Sequence, residues 1–464
     1  MRRVVQCAMI LLRGAAMRET LSPETTSMQR RTWRVGTGRA THVARGMLLL
    51  LATSACAAAA PGQTVAARVR PGISVLLTDS IHLIRGRRVG LITNHTGIDE
   101  RGESDIDRLR GPEARAAGAR LVTLFSPEHG IRGTEDREDL ASGVDARSGL
   151  FIHSLYKSAT IGPPDSTLRD LDVLVVDLQD IGTRTWTYVG VVLYSMRAAA
   201  RRNLPIIVLD RPNPISGRHP AGPILDLAIA NPEEPTAARP GKAYALYPVP
   251  LRHALTMGEM ARYFNADLRI GARLHVVPAA GWRRAMWFDE TGLPWVRPSP
   301  NMPTLASATT YPAIVPFEAT NVSVGRGTAD AFQRVGAPWL RSDSAVALLN
   351  ARGLPGVRFE QSDFTPQGAT DNKYSGQRIG GIRVVVTDRE QFHPGRTSAA
   401  LLWAIRRLAA DSLVVRGPAW DDRFGRPPMR EAIMRGEDPD VVVARDSAAV
   451  AAWWRNVAQY TIYR

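Results

Sequence analysis

The amino-acid sequence predicts an α/β protein: an open, doubly wound, mainly parallel sheet with a second, smaller α+β domain after it. Three observations carry this. Four short, β-branched apolar runs occur at residues 89–93, 121–125, 173–178 and 206–210. Their apolarity is continuous rather than alternating, as in strands buried on both faces. Helix-like stretches separate them, and alternating strand and helix builds parallel βαβ units.

Taken in order, the chain opens with an address. Arg30, Arg31, Arg34, Arg39 and Arg45 precede an apolar run, Met47–Ala60, that exits through small residues. This is the pattern of an export signal, and residues 1–60 are assigned to it. Cleavage is expected between Cys56 and about Thr64, and Met17 or Met28 would give the signal a more usual length. Cys56 also permits a lipid anchor in place of simple release. The expected location is exported, periplasmic or extracellular.

Residues 70–305 form the predicted first domain. The first helical stretch between strands is Ser104–Gly118, and the second is Tyr188–Asn203, which stops at Arg201, Arg202 and Asn203 with Pro205 beyond. The Pro/Glu/Ala-rich stretch 231–241 reads as a surface excursion. Thr256–Phe264 reads as a helix, because Thr256 followed three residues on by Glu259 is a capping box. Residues 294–316 are proline-dense and show little helical pattern. A boundary is placed near residue 305. Residues 306–464 are the auxiliary α+β domain, with a strand at Ile382–Thr387 and helices at Ser398–Asp411 and Asp446–Tyr460.

Composition narrows the function. Two cysteines, Cys7 and Cys56, exclude a disulfide scaffold and a cysteine-built zinc site. No apolar run reaches the roughly 18 residues that a membrane-spanning helix needs. The net charge is +15, but residues 1–60 contribute +7 of it, and the chain has only three lysines, Lys157, Lys242 and Lys373. The remaining arginines are diffuse, and no basic stretch is interleaved with aromatics, so no nucleic-acid partner is expected.

The chemistry gathers at the strand ends. Asn94-His95-Thr96-Gly97 follows the first apolar run, and Ser126-Pro127-Glu128-His129-Gly130-Ile131-Arg132-Gly133 the second. Gln179-Asp180-Ile181-Gly182-Thr183-Arg184 follows the third, and Arg211-Pro212-Asn213-Pro214 the fourth. Ligands of open α/β sheets bind outside the carboxyl ends of the strands. One crevice would therefore be lined by Asn94, His95, Glu128, His129, Asp180, Arg184, Asp210, Arg211 and Asn213. A second polar cluster runs from Pro298 to Pro303, including Asn301, and from Glu318 to Thr328, including Asn321 and Arg326. Each of these residues also has a structural alternative as a helix cap, an ion pair or a rigid turn.

Several short matches fail. Ser154-Leu155-Tyr156-Lys157 has no Lys-Thr-Gly to complete a penicillin-recognising site. Glu128-His129 lacks the second histidine of a zinc protease motif, and Gly325-Arg326-Gly327 lacks the context of a dinucleotide fingerprint. Neither a metal nor a cofactor is expected.

Six motifs in order, GLITNHTG, LFSPEHGIRG, DLQDIGTRTWTYV, LDRPNPISG, PSPNMPT and FEATNVSVGRGT, resemble the NamZ family of exo-β-N-acetylmuramidases. The resemblance covers about residues 70–464. It implies a Rossmann-like catalytic domain, a smaller C-terminal domain, and a cleft between them. It implies release of terminal N-acetylmuramic acid from the non-reducing end of peptidoglycan fragments such as MurNAc-GlcNAc. On this reading Glu128 is the catalytic acid, and its place beside apolar Phe125 suits an acid with a raised pKa. Asp180 or Glu318 would activate water or stabilise the cation, unless the sugar's own acetamido group attacks. Arg132, Arg184 or Arg326 would hold the lactyl carboxylate, with Arg184 preferred. Trp186 and Tyr188 would stack on the pyranose, and Asn94, His95, His129, Asn301 and Asn321 would complete the binding site. Two rivals remain: a metal-dependent hydrolase using His95, His129, Asp180 and Asp210, and a non-catalytic muropeptide binder.

Overall fold

The computed structural model describes residues 68–133, 140–155, 161–233 and 244–464. The export-like segment, Tyr156 and Lys157, and most of the 231–241 excursion lie outside the described residues. The first strands are β1 (Arg88–Thr93), β2 (Arg120–Ser126), β3 (Gly143–Val144), β4 (Phe151–Ser154), β5 (Val173–Asp177) and β6 (Ile206–Leu209). They continue with β7 (Ala221–Ile224), β8 (Pro250–Arg252), β9 (Leu274–Val277), β10 (Arg334–Ala337), β11 (Val357–Gln361) and β12 (Gly380–Val386).

Seven of them form one sheet in the order β3–β4–β2–β1–β5–β6–β9. Every neighbouring pair is parallel except the edge pair β3–β4. The four apolar runs are the central strands β2, β1, β5 and β6. All five residues of β5 and all four of β6 are buried, which is why no alternation shows in their sequence. The remaining strands escape the same reading. In β4 and β9 most residues are partly exposed, so neither is a continuous apolar run. From β1 the chain winds outward to β2 and β4 on one side, and from β5 to β6 and β9 on the other. The topological switch thus falls between β1 and β5.

The predicted helix over 104–118 is interrupted at Gly111-Pro112. Pro112 has no backbone N–H to continue a helix, so the stretch divides into Asp105–Arg108 and Pro112–Ala116. The helix Met257–Asp267 starts as expected, with both bonds of the Thr256/Glu259 capping box formed.

The proline-dense segment corrects the sequence reading, because Leu305–Ile314 is a helix with Pro312 inside it. Thr304 caps it by accepting from the Ser307 N–H, and Ser307 through Ile314 are all buried. A helix covered on every side carries no amphipathic stripe, so its period is invisible in the sequence. Beyond it lies the smaller α+β part. There β10–β12–β11 form an antiparallel sheet packed against the helix Ser342–Asn350, which packs in turn on the helix Pro394–Leu408, and the helix Gly417–Phe424 follows.

Candidate functional site

The switch between β1 and β5 is not an open crevice, because the chain's own side chains fill it. Asn94 is buried and donates to the Tyr188 hydroxyl at 2.7 Å, and that hydroxyl donates to the Pro298 carbonyl at 2.9 Å. Gln179 donates to the carbonyls of Asp180 and Pro212, and its N–H donates to the Thr96 hydroxyl. Asp180 accepts from the Gly182 N–H at 2.7 Å and faces His253 Nε2 at 3.3 Å. Gly182 is needed there: it sits at φ 77°, and a Cβ would stand 2.4 Å from Asn213 Oδ1. Asp210 accepts from the Thr256 hydroxyl, the Gly258 N–H and the Tyr463 hydroxyl, at 2.6 to 2.8 Å. Burial pushes its carboxyl up to about 7. Arg211 pairs with buried Asp177 and donates to the Ile98 carbonyl.

A cavity of about 410 Å³ opens instead beside the end of β2. One wall comes from the parallel-sheet part: Glu128, His129, Thr185, Trp186 and Thr187. The other holds Tyr311, Glu318, Arg326, Asp371, Arg416 and Arg423, with Asn301 between them in sequence.

Glu128 receives a hydrogen bond from the Thr187 hydroxyl at 2.6 Å. His129, beside it, is buried and held at φ 71°, a conformation that costs a non-glycine residue about 1 kcal/mol. Phe332, also in the wall, is held at φ 61° with the Arg326 guanidinium 5.2 Å from its ring centre. Strained conformations of this kind gather where function fixes a side chain.

Glu318 has the opposite surroundings to Glu128. Arg326 donates twice to its Oε1, at 3.0 and 2.7 Å, and Arg423 approaches Oε2 at 3.5 Å. Burial pushes the Glu318 carboxyl up, but Arg326, Arg423 and Lys373 outweigh it, so the net shift is downward and the group stays ionised. Its loop is stapled from behind by Lys373, whose ammonium donates to the carbonyls of Phe317, Glu318 and Val322.

The structure therefore gathers Glu128, His129, Asn301, Glu318 and Arg326 of the expected residues on one cavity, together with Trp186. Others take different places. Asp180, Asn94 and Tyr188 belong to the closed network described above, and none lines the cavity. Arg184 is buried and donates to the carbonyls of Asp422, Arg423 and Phe424, all at 3.0 Å. A cation there satisfies the open carbonyls that end the helix Gly417–Phe424. Burial lowers the Arg184 pKa to about 9, leaving it charged at neutral pH. It docks the helix that carries Arg423 and does not reach the cavity wall.

Arg132 pairs with Asp145 at 2.5 Å. His95 contacts the Arg297 carbonyl at 2.5 Å and packs against Gly133, where a Cβ would overlap its ring. Asn321 donates to the Ser412 carbonyl and accepts from the Val414 N–H, joining two loops. Tyr244, Tyr311, Asp371, Arg416 and Arg423 also reach the cavity, and the sequence reading missed them because none follows one of the four apolar runs or lies in the second polar cluster. Among the described residues, no three His, Cys, Asp or Glu side chains are grouped so as to hold a metal ion.

Two family models match the chain in tandem. That of the N-terminal part of exo-β-N-acetylmuramidase NamZ covers residues 89–306, and that of its C-terminal part covers residues 309–463. The peptidoglycan β-N-acetylmuramidase NamZ of Bacillus subtilis (strain 168) is 36% identical over 423 residues, covering 90% of this chain and 97% of the relative. A crystal structure of a DUF1343 family protein from Bacteroides fragilis NCTC 9343 aligns with a TM-score of 0.75 at 32% identity, covering 86% of this chain and 99% of the other. A second DUF1343 family crystal structure from the same organism aligns with a TM-score of 0.65 at 26% identity and the same coverage. With matched models spanning both parts of the fold, the chain belongs to the NamZ family of exo-β-N-acetylmuramidases.

Proposed function

We propose that this protein is a glycosidase that releases terminal β-N-acetylmuramic acid from the non-reducing end of peptidoglycan fragments, in the turnover of cell-wall material. The observation that carries the reading is a pair of carboxylates on one cavity in contrasting surroundings. Glu318 is fixed as an anion by two guanidiniums, whereas Glu128 has a hydroxyl as its hydrogen-bonding partner. Glycoside cleavage uses such a division, one group giving a proton and the other remaining charged. Glu128 protonates the glycosidic oxygen as the bond from it to C1 breaks. Glu318 opposes the positive charge that develops on the ring, or orients the acetamido group or water that attacks C1. Trp186 offers an aromatic wall for the pyranose.

The test is turnover of a chromogenic N-acetylmuramide beside its glucosaminide analogue. Turnover of the muramide that persists after EDTA supports the reading. A protein that binds the muramide without cleaving it would be a muropeptide binder, and loss of activity on chelation would return the metal-dependent alternative.

The charged stretch and apolar run ahead of Ala60 support export of the chain, with or without a lipid on Cys56. N-terminal sequencing and intact mass of the native protein test this. A mature end between Cys56 and about Thr64 is expected, and an unprocessed cytoplasmic chain would refute it.

A further inference from the structure

We propose that Arg416 is the residue that recognises the lactyl carboxylate of the substrate, and so separates muramic acid from glucosamine. The inference rests on the muramidase reading of the cavity. The two sugars differ by one lactyl ether, whose carboxylate must be met by a cation in a cavity that already contains Glu128, Glu318 and Asp371. A planar guanidinium, able to offer two parallel donors, suits this best.

Three guanidiniums line the cavity. Arg326 gives two of its donors to Glu318. Arg423 faces Glu318 with its Nε, gives another donor to the Ala419 carbonyl, and lies over the Tyr244 ring at 4.8 Å. The charge of both is set against the Glu318 carboxylate. Lys373 stands behind this wall with its ammonium on three carbonyls. Arg184, the candidate favoured by its place in the sequence, is spent on the end of a helix.

Arg416 differs from all of these. It is exposed, and it pairs with no carboxylate among the described residues. One terminal nitrogen donates to the Glu318 backbone carbonyl at 2.8 Å, which leaves the rest of the guanidinium to a ligand. Its backbone is fixed as well. The Arg416 N–H donates to the Ala319 carbonyl at 2.8 Å, and Thr320 and Val415 form a β-bridge alongside. The uncommitted cation is thus carried on a strip laced to the one that carries Glu318, so a carboxylate it holds sits beside the reacting sugar.

The experiment compares wild type, Arg416→Met and Arg416→Lys on three chromogenic glycosides: the N-acetylmuramide with a free lactyl acid, its lactyl methyl amide, and the glucosaminide. The wild type should prefer the acid to the amide. Arg416→Met should lose at least about tenfold in kcat/KM on the acid, the scale of one charge-assisted hydrogen bond, and much less on the amide and the glucosaminide. Arg416→Lys should recover part of the loss. An Arg416→Met protein that keeps the wild-type acid-to-amide ratio overturns the assignment, and so does an equal fall on all three substrates. A wild type that cleaves none of them overturns the muramidase reading itself.

Discussion

The loops after β1, β5 and β6 resemble the loop after β2 in composition, yet the protein uses them in opposite ways. Most polar residues of the first set close on one another: Asn94 on Tyr188, Asp180 on Gly182, Asp210 on Thr256, Gly258 and Tyr463, and Arg211 on Asp177, and only the end of the β5 loop, Thr185 to Thr187, reaches the cavity. After β2, Glu128 and His129 face a cavity whose opposite wall is supplied by the α+β part. In the closed loops most polar groups have found a partner in their own chain, as burial demands, with Asp180 Oδ1 and Thr183 Oγ1 as exceptions among the described residues. Around the cavity, charge and strain are held in place instead: an ionised Glu318, a left-handed His129, and an Arg416 with donors to spare. Polar residues at strand ends are therefore not a site in themselves; what distinguishes a site is where their partners end.

The sharpest way to break this comparison is to mutate one residue from each side. Glu128→Gln is isosteric and keeps the Thr187 contact. It should lose at least about a hundredfold in turnover, the usual scale for general acid catalysis, with its melting temperature within a degree or two of wild type. Near-normal turnover in the folded variant would remove Glu128 from the mechanism.

On the closed side, Arg184→Met should do the reverse. It strands three buried carbonyls at the end of the helix Gly417–Phe424, at a cost of about 3 kcal/mol. Chemical denaturation should show that loss, while the muramide-to-glucosaminide ratio of the folded protein stays the same. A changed ratio with unchanged stability would bring Arg184 back as a substrate ligand.

The same contrast explains what could be read from the sequence. The strands β1, β5 and β6 were legible because near-complete burial makes their sequence uniformly apolar, and β2 because its run stays apolar although its first half is partly exposed. The helix Leu305–Ile314 was not, because burial on all sides erases its period and Pro312 argues against a helix. Glu128, His129, Glu318 and Arg326 were legible because glycines and prolines punctuate their loops. Arg416 and Arg423 were not, since an arginine flanking or inside the helix Gly417–Phe424 looks like any surface arginine. Arg184 misled because its partners, Asp422 to Phe424, lie more than two hundred residues away.

A smaller effect sharpens the electrostatic half of the comparison. Arg326 has the largest effect of the cations that hold the Glu318 carboxyl down against burial. Arg326→Met leaves the burial and removes that cation, so the Glu318 pKa must rise. A carboxylate with a raised pKa takes up its proton at a higher pH. The acid limb of the kcat/KM profile should therefore move to higher pH in Arg326→Met, with activity near neutral pH less affected than activity in acid. A limb that stays in place would mean that the charge of Glu318 is not needed in the rate-limiting step.

The smallest expected effect is on stability at His129, and it separates strain from packing. At φ 71° the histidine pays about 1 kcal/mol that glycine would not. Glycine brings its own cost, roughly 0.5–1 kcal/mol of extra freedom in the unfolded chain. The two nearly cancel, so His129→Gly should lose only what the contacts of the buried imidazole contribute, about 1 kcal/mol. Turnover should fall, because the imidazole beside Glu128 is lost. An equivalent truncation on the closed side, Asn94→Ala, removes the donor to Tyr188 and the acceptor of the Thr96 N–H and hydroxyl. It should cost about 2 kcal/mol by leaving those groups unsatisfied. If His129→Gly is as destabilising as Asn94→Ala, then His129 is a packing residue of the same kind, and the left-handed backbone at the cavity is an accommodation of the fold rather than of the substrate.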